Sequence, residues 1–182
     1  MEFEDFNHEL TIKTKVQQIQ FEQWMRSFFR LTYKLYEDFD PTLQDMHYIK
    51  LYGMLTEGID YAQIVLKHLE NGKNLNKKSW YIKCIDGLTL LKSQLTEREF
   101  IYIEYRRHNI CHMFQNQYER IQENYTIKYK RKGMDLTEVD TLLKSLLLEF
   151  GSDRNIDEYL KEKLKLTITS LYDELVKIKE EE

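Results

Sequence analysis

One proline, Pro41, and six glycines punctuate 182 residues. These residues break helices and set tight turns, so a chain this poor in them has room for only a handful of turns. That points away from a fold built of hairpins and toward an all-α class. Cysteine is scarce as well. Cys84 and Cys111 stand far apart and form no CxxC pair, which argues against a disulfide scaffold and for a reducing, cytoplasmic compartment. No apolar run approaches the roughly 18 residues of a membrane-spanning helix, so no membrane partner is expected. The opening MEFEDFNHEL is acidic and lacks a basic region followed by an apolar one, so no signal peptide is expected. Positive charge is in deficit overall: 27 Lys and Arg against 31 Asp and Glu, a net −4. A generally basic nucleic-acid binder is thereby excluded, while a local basic patch is not.

What is present is a 42% apolar chain with 32% charged residues. That is too apolar for disorder, and its charge suits long helices with solvated outer faces. The length fits a single all-α domain, 1–182, with a core that needs no disulfides. Phe21, Trp24, Phe28, Leu31 and Leu35 recur at spacings of 3 and 4, and Ile12, Val16 and Ile19 extend the stripe upstream. This predicts one long helix over 10–39, stopped by DFDP. A second helix is expected over 42–70, weakened in its middle by Gly53 and Gly58. ENGKNLNKK marks a loop and a possible sub-boundary at 71–78 between an N-terminal helical pair (1–70) and a helical core (78–150).

A third helix follows over 78–93. Thr96 and Glu99 have the spacing of a capping box and open a fourth, which runs toward Lys132 with a possible break at 108–117. DLTEVDTLLKSLLLEFG reads as a fifth helix with Val139, Leu142, Leu143, Leu146, Leu147 and Phe150 inward and Gly151 as its stop. Asn155 and Glu158 begin a C-terminal helix within 154–182, striped by Ile156, Leu160, Leu164, Ile168, Leu171, Leu175 and Ile178. The expected architecture is a bundle of about six helices with long N- and C-terminal members. Most aromatics fall at helical spacing and are assigned to the core. The terminal stripes are long for one small core, so a homodimer is expected, with Ile12, Val16, Phe28, Leu31 and Leu35, or Leu164, Leu171 and Leu175, across the seam.

One stretch breaks the acidic balance. Between Arg106 and Gly133 there are seven Lys and Arg and two acids, Glu119 and Glu123, a local +5. Arg120, Tyr125, Lys128, Tyr129, Arg131 and Lys132 are the candidate nucleic-acid contacts, with Lys128, Arg131 and Lys132 on one helical face and Lys130 on another. Cations there would neutralise phosphates, arginine can read guanine, and tyrosine can contact the backbone or stack. The alternative is a solvated helix face, the usual fate of a charge run.

IDGLTLLKSQLTEREFIYIEYRR, Ile85 to Arg107, resembles the helical pair that leads into the helix-turn-helix of sigma-factor region four. It is still more similar to phage late-gene regulators of the ArpU and RinA type. The turn is Leu95-Thr96-Glu97-Arg98 and the aromatic-basic end is Tyr105-Arg106. Tyr118-Glu119-Arg120-Ile121 matches that family's first helix in type, and Ile127 to Lys132 its basic recognition helix. Where that family's turn holds Ser or another small residue, this chain has Glu123, Asn124 and Tyr125, and Gln122 stands where its first helix usually has Ala. The resemblance covers about residues 85–133 and implies a non-enzymatic regulator that binds double-stranded DNA, with no cofactor.

Two other constellations involve RRHNICH. Arg107 and His112 resemble the HEPN ribonuclease motif. In that family Arg steadies the scissile phosphate and His serves as acid or base, from two protomers at a dimer groove. The resemblance implies a metal-independent ribonuclease of toxin or defence type with Arg107 and His112 as catalytic residues. His108 and His112, at i and i+4 beside Cys111, could share a zinc, but no partner cluster completes four ligands, and His47 and His68 are isolated. No metal is expected. A helical protein–protein interaction module, needing none of these residues, is the remaining alternative.

Overall fold

The computed structural model describes residues 3–71, 77–111 and 136–181, and these form an all-α bundle with no strand among them. Its elements are α1 (Phe3–Glu37), α2 (Pro41–Gly53), a π turn (Met54–Gly58), α3 (Ile59–Asn71), α4 (Lys78–Gln94), α5 (Glu97–Cys111), α6 (Leu136–Phe150) and α7 (Asp153–Glu181). Since α2, the π turn and α3 run on without a break, the described residues make six rods. No described helix is long and apolar enough to cross a membrane.

Local chemistry sets the helix ends. Asp40 caps α2, its carboxylate accepting from the Thr42 and Leu43 amides at 2.8 and 3.3 Å, and Pro41 takes the first helical position, where no amide donor is missed. The predicted capping box is present. The Thr96 amide donates to Glu99 Oε2 at 2.7 Å, and the Glu99 amide donates to Thr96 Oγ1 at 3.3 Å. Gly151 ends α6 in the left-handed region, φ +82°, with its amide on the Leu147 carbonyl.

α1 begins seven residues before its predicted start. α7 begins at Asp153, ahead of Asn155, because Ser152 is the residue whose hydroxyl receives the Asn155 amide, at 3.3 Å. The Asn155 side chain instead donates back to the Phe150 carbonyl, closing the end of α6. The expected continuation of the fourth helix to Lys132 lies outside the described residues.

The core gathers side chains from every described helix, on both sides of 71–78. Phe21 on α1 stacks on Tyr81 of α4, and Phe29 and Tyr33 meet Tyr172 of α7. The predicted α7 stripe is buried from Ile156 to Leu175. Each such side chain contributes about 1.5–3 kcal/mol on leaving water. Gly87 lets α4 press against α7, since a Cβ there would collide with the Leu171 side chain.

Burial within one chain changes the expected homodimer seam. Phe28, Leu35, Leu164, Leu171 and Leu175 are all in this core and unavailable to a second copy, whereas Val16 is exposed. Leu147, predicted inward, is exposed, while Val139 and Leu146 are buried as predicted. The stripe of α6 is wider than the strip its neighbours α5 and α7 cover.

Candidate functional site

α5 carries two consecutive arginines to opposite surroundings. Arg106 turns inward. Its Nη1 donates to Asp157 Oδ2 at 3.0 Å and its Nη2 to Asp45 Oδ1 at 2.8 Å. Tyr48 and Tyr102 donate to Asp157 Oδ1 at 2.6 and 2.9 Å, so α2, α5 and α7 are tied by one buried polar cluster. Burial alone would favour a neutral guanidine, but the Asp157 carboxylate holds Arg106 charged, above its ordinary range. Burial pushes the Asp157 carboxyl up, against the hydrogen bonds and cation that favour its ionised form. Arg106 therefore counts toward the bundle and is lost to the basic segment, where six cations against two acids remain from Arg107 to Gly133.

Arg107 faces a groove bounded by α1, α2, the π turn and α3, with a volume of about 620 Å³. Its guanidinium lies over the Tyr52 ring, 5.3 Å from the centroid. That ring is fixed from behind, its hydroxyl donating to the buried Glu104 carboxylate at 2.8 Å. Across the groove, the Lys50 ammonium sits 3.9 Å from the centroid of Trp24. The indole is anchored by its Nε1–H on the Lys50 carbonyl at 3.3 Å, yet remains 36% exposed. Partial burial pulls the Lys50 amine below its ordinary range. Among the described residues no carboxylate pairs with Lys50 or Arg107, and Glu57, the acid on the rim, bridges to neither.

The backbone has adapted to this groove. Gly53 lies under Trp24, where a Cβ would come within 3.0 Å of the indole. From there the helix widens into the π turn, ended by Gly58, where a Cβ would come within 3.3 Å of the Gly53 carbonyl oxygen and 3.6 Å of the Phe21 ring. Such turns insert one residue into a helix and gather at functional sites. Here the insertion lies beside Tyr61, which also lines the groove and is exposed. The glycines were expected to weaken a helix, and what they permit is this widened turn.

Of the candidates named from sequence, Arg107 is the one the structure puts on a groove. Arg120, Tyr125, Lys128, Tyr129, Arg131, Lys132 and His112 lie outside the described residues. The Arg107–His112 pair thus has one described member. His108 Nε2 stands 3.9 Å from Glu104 Oε1 and Cys111 is exposed. Among the described residues no group of three His, Cys, Asp or Glu could hold a metal. His47 is buried between Phe28 and Thr32. The Thr32 hydroxyl donates to the Phe28 carbonyl, so His47 Nδ1 must supply the proton in their 3.1 Å contact. Burial lowers this imidazole to about 4, and it is neutral near pH 7.

Sequence reasoning missed Lys50, Tyr52 and Tyr61 and assigned Trp24 to the core. A signal was available. Gln17, Gln20, Trp24 and Ser27 recur at spacings of 3, 4 and 3, a polar and aromatic stripe facing the groove. An indole within a polar stripe belongs to a surface that one face of the helix shares with something other than the core.

The fold and groove together define an all-α bundle with an aromatic and cationic cleft. No protein-family model, no curated protein and no solved structure matches the chain.

Proposed function

We propose that the chain is a non-enzymatic regulatory protein that binds double-stranded DNA, of the kind phages and other mobile elements use to control transcription in the cytoplasm. The observation that supports this most is the contrast at the end of α5. Arg107, without a carboxylate partner among the described residues, heads a segment whose remaining cations outnumber its acids six to two. Asp45 and Asp157 absorb Arg106, whereas the segment's own acids are two, Glu119 and Glu123, against six cations. Phosphates are the complementary partner. A homodimer belongs to the same proposal. Its seam would use the exposed Val16 and Ile19 of α1, since the longer stripes are buried within the chain.

The test is duplex DNA binding at two salt concentrations. Changing Lys128, Arg131 and Lys132 together to Ala removes about three phosphate contacts and lowers the slope of log affinity against log salt by roughly 2–3 units. Lys130→Ala alone changes little. Absence of binding at about 50 mM salt, where even non-specific contacts register, would overturn the proposal. The ribonuclease alternative draws on the same Arg107, and His112→Ala separates the two, because it would abolish RNA cleavage and leave DNA binding intact.

A further inference from the structure

We propose that the groove beside the π turn is a binding site for a mononucleotide-class ligand: a planar aromatic heterocycle carrying a phosphate. The proposal is independent of DNA binding by the 118–132 segment, because it stands on described side chains alone.

Five features point to this chemistry. The groove, at about 620 Å³, has the size of a small-molecule site. The exposed Tyr61 ring offers a flat face to a heterocycle, and Trp24, 36% exposed beneath the Lys50 ammonium, adds an aromatic edge to the same wall. Trp24 has its only donor already committed to the Lys50 carbonyl, so the ring is positioned before any ligand arrives. Lys50 and Arg107 supply two positive charges on the walls of the same groove, and among the described residues no carboxylate pairs with either. Gln17 and Gln20 add amides, which can both donate to and accept from the edge of a base.

The backbone supports the same conclusion. Gly53 is an unfavourable residue for a helix interior, and Ala would be preferred there on propensity alone. Its retention beneath Trp24 keeps the indole in place, because a Cβ would press against Cζ2. A bare anion would have no use for the rings. A peptide helix would want a continuous apolar stripe, which a wall of Gln17, Gln20 and Ser27 does not offer. A ligand with both a ring and a phosphate uses every part.

The chain has two tryptophans, Trp24 and Trp80. In full-length protein carrying Trp80→Phe, fluorescence reports on Trp24 alone. Titration with AMP and GMP is expected to give saturable quenching with half-saturation below about 1 mM. Calorimetry on the unaltered chain reads the same affinity without relying on that substitution. Lys50→Met and Arg107→Met should each weaken binding by about tenfold, the loss of one charge-assisted contact. Gly53→Ala should weaken it by displacing the indole, with circular dichroism unchanged. Lys177→Met, exposed on α7, should leave it unaltered. The proposal is overturned if neither nucleotide gives a saturable signal, if inorganic phosphate or adenosine binds as tightly as AMP, or if the Lys50 and Arg107 variants bind normally. It is also overturned if a short single-stranded oligonucleotide displaces AMP and binds more tightly, since the groove would then be a nucleic-acid contact.

Discussion

Arg106 and Arg107 are neighbours in sequence, identical in chemistry, and opposite in circumstance. Arg106 is held by two carboxylates and a tyrosine hydroxyl in a cluster that ties three helices. Arg107 lies on an aromatic ring at a groove and meets no carboxylate among the described residues. Consecutive residues on a helix point about 100° apart, so one guanidinium enters the bundle while the next leaves it. The first cation is structural and the second is available. The same division runs along α2, where His47 and Tyr48 face the core and Lys50 and Gly53 face the groove.

The largest expected effect comes from breaking the inward side. Arg106→Met strands the buried Asp157 carboxylate and should lower unfolding stability by about 3 kcal/mol, read as a lower urea midpoint. Adding Asp157→Asn should recover part of that loss, because removing both charges costs less than isolating one.

A comparable effect belongs to pH. His47 is at about 4 in the folded protein and 6.5 when free, so the unfolded state binds the proton first as pH falls. Its contribution is fully present above 6.5 and is lost progressively from 6.5 toward 4, by about 3 kcal/mol in all. His47→Asn, which keeps a donor toward Thr32, should flatten that part of the stability–pH curve. Glu99 acts lower on the scale. Burial opposes its charge, but Lys163 and the Thr96 amide outweigh it and hold the carboxyl below its ordinary 4.5. Its stabilisation is present above that value and disappears as pH falls through the lowered one. Glu99→Gln should remove this acid-side dependence while leaving the His47 region of the curve unchanged.

Gly87→Ala tests the packing that surrounds both regions. The new methyl group meets Leu171, and overpacking of this kind costs about 1–3 kcal/mol, visible in thermal denaturation. The smallest effect sharpens the opening contrast. Arg107→Met should change stability by no more than about 0.5 kcal/mol, as for a partly exposed residue that meets no carboxylate among the described residues. A loss as large as that of Arg106→Met would mean the two arginines share one role.

The sequence by itself determined the helices and several of their ends. Sparse breakers and near-3.6 periodicity fixed the all-α class. Thr96 and Glu99 marked the start of α5 and Gly151 the end of α6, because caps are local and need only a few neighbouring residues. The α7 stripe was legible from Ile156 to Leu175, since those residues meet the same core. Tertiary structure decided the rest. It sent Arg106 to Asp157, which is 51 residues away along the chain. It used Phe28, Leu35 and Leu164 inside one chain, where the sequence had suggested a seam between two. It also left Trp24 on a groove. Periodicity states which residues share a face of a helix, while the packing of neighbouring helices decides whether that face meets the core, an ion-pair partner or open space.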